Sequence, residues 1–308
     1  MALDLAPNQK HVDRREKGRA FMALSSRGPG YTRGEVMDSI DALLDRVEKV
    51  CPLPSSAQRV LAMTGDDSSN IPEVAKVLAK DPALAAAVLS VANSAAFGMG
   101  KVDRLDVAVM RIGLRELHNL AAAMALFAAF RNQAEQTLPL HEAGVVAGAL
   151  AHQLAKTTRS TQPGAAFVCG LLSEIGAMAC LVFDGKDYVH LFQKAGPNLE
   201  LRAELERVRY GASSFTIGRR FLERNALPEA VCVAVGSELG EDPEKLAGLS
   251  KITILARHVT ALARHAGSDK TSLLDSLGEL IARIDVENLD VPSLLATWQR
   301  VAGGSDPG

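Results

Sequence analysis

Apolar residues first fall into a sustained register at Val36, Ile40, Leu43, Leu44, Val47 and Val50. This is the three- and four-residue spacing of one helix face, and it ends before Pro52 and Pro54. The same period then returns segment after segment. Asn70 ahead of Pro72 and Asp81 ahead of Pro82 read as helix starts, in which a side-chain acceptor covers free amides and proline fills an early position that needs no amide. Gly98, Gly100 and Gly113 punctuate the turns that follow. The stretch 114–131 is apolar nearly all round, most of all over 120–130, which predicts a central helix packed on several sides. Further helices are predicted at about 138–158, 164–182, 186–195, 199–209, 213–224, 228–238, 244–266, 270–283 and 291–302. No alternating strand pattern competes, so the expected class is all-α, a multi-helix fold.

Composition supports that class. A hydrophobic content of 47% over 308 residues can fill a large core, and only 4% aromatics alongside many Ala and Leu suits closely packed helices. The formal charge of −2 excludes a global pull toward nucleic acid or an acidic membrane, so such contacts would need a local patch. Residues 1–34 hold Lys10, Arg14, Arg15, Lys17, Arg19, Arg27 and Arg33 around Gly28-Pro29-Gly30 without a sustained period, and read as a mobile basic tail; 303–308 reads as a disordered tail. Cys51, Cys169, Cys180 and Cys232 form no Cys-x-x-Cys and read as reduced, buried thiols of a cytosolic protein. The first twenty residues lack the apolar core of a secretory leader, and the apolar run 120–130 is too short for a bilayer. The expectation is a soluble cytoplasmic protein without a membrane partner.

The chemistry-bearing phrase is Gly170-Leu-Leu-Ser-Glu-Ile-Gly176. It is similar to the Gly-Leu-Leu-His-Asp-Ile-Gly helix of the HD superfamily, in which the His-Asp pair holds a metal that activates water. Other phrases precede and follow it: Cys51-Pro-Leu-Pro, the run from Ile71-Pro-Glu-Val to Asp81-Pro-Ala-Leu, and Val91-Ala-Asn-Ser-Ala-Ala-Phe-Gly. Then come Ala108-Val-Met-Arg-Ile-Gly-Leu-Arg-Glu-Leu-His-Asn-Leu and Tyr210-Gly-Ala-Ser-Ser-Phe-Thr-Ile-Gly. In this order and spacing, over roughly 50–245, the chain resembles the HDOD family, the HD-related output domains of bacterial signalling proteins. The resemblance implies a domain over 35–245, with a helical half at about 35–132, a degenerate HD-like half at about 133–245, and C-terminal helices at 246–302 packing on it. It also implies a regulatory role without the family fold's ancestral chemistry.

An active HD site needs an upstream His, the His-Asp pair and a later Asp, because a hydrolytic metal requires convergent imidazoles and carboxylates. By that resemblance His141 stands at the upstream position, Ser173 replaces the His of the pair and Glu174 its Asp. Gly236 and Ser237 stand where related domains often have His-His. Serine is a poor ligand for a divalent ion, so no catalytic residue, metal or cofactor is expected. His152 is eleven residues along the helix from His141, about 16 Å by helical rise, too far to share one ion. Ser173 sits in Gly-x-x-Ser-x-x-Gly on a helix and not in a nucleophile elbow, and Gly28-Pro-Gly30 has neither the preceding strand nor the following Gly-Lys of a phosphate loop.

If the ancestral hollow persists, His141, Ser173, Glu174 and Ser237 would border it and it could accept a nucleotide or a peptide; otherwise it is a filled remnant. Asn93 and Ser94 could hydrogen-bond at a helix end, where a capping role is favoured. Arg111, Arg115, His118 and Asn119 form a candidate face for an anion or an acidic partner, balanced by Asp106 and Glu116. Arg202, Arg207, Arg209, Arg219, Arg220 and Arg224 make a denser basic zone, interrupted by Glu204, Glu206 and Glu223. Without interleaved aromatics this is weak evidence for nucleic acid, although Arg219 and Arg220 beside the basic tail could support a salt-sensitive contact. The favoured reading is a non-catalytic bacterial signalling module that binds a partner protein. The alternatives are a nucleotide or cyclic-dinucleotide sensor in the vestigial cleft, and a residual metal-dependent phosphohydrolase using His141 and Glu174.

Overall fold

The computed structural model describes residues 33–52, 59–60, 62–63, 70–80, 82–93, 101–130, 137–265, 270–286 and 289–302. Of the tail expected over 1–34, Arg33 and Gly34 instead open the first helix and the remainder lies outside these residues, as do 303–308 and the turn markers Pro54, Asp81, Gly98 and Gly100. In chain order the helices are α1 (Arg33–Val50), α2 (Ile71–Leu78), α3 (Pro82–Ala92), α4 (Leu105–Ile112) and α5 (Leu114–Ala129). Next come α6 (Leu138–Thr158), α7 (Pro163–Leu172), α8 (Ile175–Asp184), α9 (Lys186–Ala195) and α10 (Leu199–Tyr210). The last are α11 (Ser214–Arg224), α12 (Glu229–Gly236), α13 (Gly248–His265), α14 (Lys270–Ile284) and α15 (Val291–Ala302). Among the described residues no strand forms, and the fold is all-α.

Three departures from the sequence reading have local causes. The helix predicted over 164–182 is two helices, because the backbone departs from the helical path at Glu174 (φ −104°, ψ 9°) and α8 restarts at Ile175. The predicted 228–238 helix stops at Gly236, and the one predicted from 244 starts at Gly248 after a short 3₁₀ turn, Pro243–Lys245, whose first amide is covered by the Asp242 carboxylate at 3.1 Å. Asn70 precedes α2 as expected, but its side chain makes no capping bond; its backbone carbonyl receives the Glu73 and Val74 amides instead.

Two cores result. The larger joins α1 to α5 with α7, α8, α11 and α12, through residues such as Leu44, Val74, Leu117, Phe130, Met178 and Phe221. The second joins the later half of α6 to α13, α14 and α15 through Leu150, Leu154, Ile254, Leu277 and Leu294, with Trp298 packed against it. All four cysteines are buried free thiols, and burial pushes Cys51 and Cys232 up to about 11, which leaves them inert. The stretch Pro163–Asp184 is long and apolar enough to cross a bilayer by composition, yet 83% of its most apolar window is buried inside the fold, where it is the core.

Small residues set how closely the central helices approach. A Cβ on Gly176 would fall inside the Ser214 carbonyl oxygen and 2.6 Å from the Gly218 nitrogen, so α8 and α11 touch backbone to backbone. Gly170 meets Ala147 and Gly148 in the same manner, which draws α7 onto α6. The N-terminal helix is tied to α11 by charge: Arg220 grips Asp41 through two bonds of 2.9 and 3.0 Å, and Arg224 reaches Asp45 and Glu48.

Candidate functional site

The Ser173-Glu174 break lies at the meeting point of α7 and α8, and both side chains are buried. Ser173 donates its hydroxyl to the Gly170 carbonyl at 2.7 Å, so the group that replaces an imidazole is absorbed by its own helix end. Glu174 reaches α10, where Arg202 Nη1 donates to its Oε2 at 2.8 Å. Arg202 is 1% exposed, and its Nε lies 3.5 Å from Glu206 Oε1 one turn along the same helix. Glu206, fully buried, receives the Tyr188 hydroxyl at 2.7 Å and the Ser214 amide at 2.6 Å. The chain Glu174–Arg202–Glu206–Tyr188 thus ties α8, α10, α9 and the start of α11 together through charge. Burial raises the Glu206 carboxyl above its ordinary value, against the pull of Arg202 and its hydrogen-bond donors.

A second buried guanidinium comes from α13. Arg257 donates Nη1 to the Val235 carbonyl at 3.0 Å and Nη2 to the Ser237 carbonyl, and lies over the Phe215 ring at 3.8 Å from its centroid. Among the described residues it forms no ion pair. Burial lowers its pKa to about 10, still well above neutrality, so it stays charged. Both guanidinia line a cavity of about 60 Å³, together with Ser173, Glu174, the exposed Arg264 and His265.

Of the positions singled out in the sequence, Ser173 and Glu174 border this cavity. Ser237 reaches it indirectly, its carbonyl holding Arg257 while its hydroxyl donates to the Val233 carbonyl at 2.8 Å and lies 3.1 Å from the Ser250 hydroxyl. His141, expected at the border, is not among the lining residues; it is buried on α6 with its ring edge-on to Phe127 at 4.5 Å. Gly236 packs against the Arg219 side chain. The divalent ion that the resemblance would carry does not fit: a serine stands at one ligand position, and the carboxylate at the next is already paired with a guanidinium. Among the described residues no three His, Cys, Asp or Glu side chains gather to hold a cation.

The surface candidates are mostly engaged within the chain. Asn93 Oδ1 accepts the Val102 amide at 2.6 Å and its Nδ2 donates to the Val102 carbonyl at 2.7 Å, clamping α3 to the entry of α4. Arg111 donates to the Ala92 carbonyl at 3.3 Å. Arg219 pairs with Glu223 at 2.8 Å, and Arg220 with Asp41, so this part of the basic zone is charge-balanced and not an open anion surface. Asn119 is half-buried on α5. Ser94 and the Arg115 side chain lie outside the described residues.

The sequence reading missed the roles of Arg202, Arg257, Arg264 and His265. Arg202 was grouped with the surface basic zone, yet its four-residue spacing to Glu206 was visible. For Arg257 the signal was a charged Arg-His pair inside the apolar run 252–259.

His258 of that pair carries a pH dependence. Its Nδ1–H donates to the Ile254 carbonyl at 2.8 Å, and burial, reinforced by Arg257, Arg202 and Arg283, lowers its pKa from 6.5 to about 3. The unfolded chain takes a proton on this ring below pH 6.5 while the native state does not, so stability falls as pH drops from 6.5 toward 3. Urea midpoints are expected to show a loss of about 2 kcal/mol between pH 7 and 5, largely removed in His258→Leu, since one proton held only by the unfolded chain costs about 1.4 kcal/mol for every pH step of one below 6.5. Equal slopes in the two proteins would exclude this assignment.

Comparison with known proteins places the architecture. A family model, the HDOD domain, matches residues 50–238. An uncharacterized protein of Treponema pallidum (strain Nichols) is 26% identical over 205 residues, 62% of this chain and 37% of that protein, so the chain spans little more than a third of that relative. A suspected phosphohydrolase of Shewanella amazonensis SB2B superposes with a TM-score of 0.57 at 21% identity, covering 86% of this chain and 94% of that one. An HDOD domain protein of unknown function from Geobacter sulfurreducens gives 0.52 at 21% identity, covering 88% and 91%. At these identities the structural likeness speaks for the fold alone.

Proposed function

The chain belongs to the HDOD domain family, and from that premise we propose that it is a regulatory module of a signalling pathway that works by binding and not by hydrolysis. The observation that supports this most is the Arg202 guanidinium seated on Glu174 at 2.8 Å. A hydrolytic cation at Glu174 would have to compete with a buried guanidinium already seated on that carboxylate, and would bring two like charges together in the interior. Nor would Ser173 supply the missing ligand, its hydroxyl being held by Gly170. What is left is a rigid helical body whose surfaces can present themselves to a protein partner. Leu138 and Val145, 54% and 51% exposed and seven residues apart on α6, give that partner an apolar footing on one helix face.

The test is metal analysis of the full chain purified without chelator, paired with a phosphodiesterase assay in added manganese and magnesium. The expected result is less than one-tenth of a metal ion per chain and turnover at the level of a blank, unchanged in Glu174→Gln. One tightly held transition metal per chain, with turnover that Glu174→Gln abolishes, would overturn the reading.

A further inference from the structure

We infer that the cavity beside Glu174 is an anion site that takes a phosphoryl group, either free phosphate or the terminal phosphate of a monoester. The inference deepens the proposed function and rests on it in one respect, that the group is held and not cleaved. Three observations converge. Among the described residues Arg202 Nη2 and Arg257 Nε are buried without a hydrogen-bond partner, and both side chains, each 1% exposed, border the cavity. A buried donor left unmatched is costly, so a site that holds two of them is built for an acceptor. Among the described residues Arg257 touches carbonyl dipoles and a ring face and no carboxylate, so its countercharges act from beyond contact distance. The guanidinia of Arg202, Arg257 and Arg264 line the cavity against the carboxylate of Glu174, and with Glu206 also paired to Arg202 one positive charge is in excess, which a singly charged phosphate would match.

Size narrows the ligand further. About 60 Å³ is room for roughly four waters at ~15 Å³ per solvent position. That suits an oxyanion head group, and a whole dinucleotide would have to leave most of itself outside. Arg264, exposed on α13 with its Nη1 on the Pro139 carbonyl at 2.7 Å, stands where such a head group would enter.

Titration calorimetry of the full chain with inorganic phosphate and with AMP, in EDTA to remove metals, tests this. The expected result is one phosphate per chain, bound about tenfold more weakly in Arg264→Ala, the loss of one charge-assisted contact, and not bound in Ala143→Leu, which fills the cavity from α6 and leaves every charge in place. Circular dichroism and thermal midpoints check that both variants fold; Arg264 is a surface residue, so that arm stands even if Ala143→Leu does not. AMP binding tighter than phosphate assigns the site to a monoester terminus, and phosphate binding tighter than AMP to the free ion. No saturable heat with either probe, or binding unchanged in both variants, overturns the inference. Failure here leaves the regulatory reading standing, whereas metal-dependent turnover would remove that reading and the claim that the group is held uncleaved, while metal-free phosphate binding would still stand.

Discussion

Arg202→Met is expected to destabilise the folded chain by about 3–5 kcal/mol, the usual cost of removing one member of a buried ion pair. Methionine keeps much of the side chain's volume, so the loss reads charge and hydrogen bonding more than a cavity. It would strand two buried carboxylates, Glu174 at 5% exposure and Glu206 at 0%, with no cation in reach for the bonds Arg202 now makes. The faces of Phe192 and Phe215, over which the guanidinium lies at 5.6 and 5.2 Å, would lose their cation as well. Urea denaturation checks the figure. A second variant decides the cause: Arg202→Met combined with Glu174→Gln is expected to recover about 1–2 kcal/mol, because a neutral amide in that position no longer needs a countercharge. A loss below about 1 kcal/mol in the single variant, or no recovery in the double, would mean that the pair is incidental to the fold.

Gly176→Ala is expected to cost about 3 kcal/mol, against a helix-propensity gain of about 1 kcal/mol that the same change brings in open surroundings. The new methyl meets backbone on both counts, the Ser214 carbonyl and the Gly218 nitrogen, and backbone cannot rotate aside as a side chain can. Relief requires α8 and α11 to separate, and with them Ile217, Phe221 and Met178 of the main core. Gly278→Ala is the matched control: its Cβ would have the Val291 side chain at 3.8 Å as its near neighbour, an ordinary contact, so a neutral or slightly stabilising change is expected there. Equal thermal shifts in the two variants would remove close approach as the reason for glycine at 176.

The fold was legible because its helices announce themselves one at a time. Val36 to Val50 and the continuous apolar stretch of α5 follow from local spacing, which needs no knowledge of the partner they pack on. The break at Ser173 was not legible, since apolar residues continue on both sides and the helical period is hardly disturbed. Half of the site could be read for a similar reason: Ser173 and Glu174 fall within one phrase. Arg202 could not be placed, because what takes it out of the basic run 202–224 and into the interior is a carboxylate 28 residues earlier, a pairing made by helix packing. Arg257 lies further still from any motif, in a segment read as a cover for the domain.

That placement has a practical bearing on how the protein is dissected. The family match ends at 238, while one of the two buried arginines enters from α13. A fragment trimmed to the matched span would leave the carbonyls of Val235 and Ser237 and the Phe215 ring without their lid, and would open the hollow on one side. The inherited signature and the cavity have different borders, and a pruned version would answer questions about a different object.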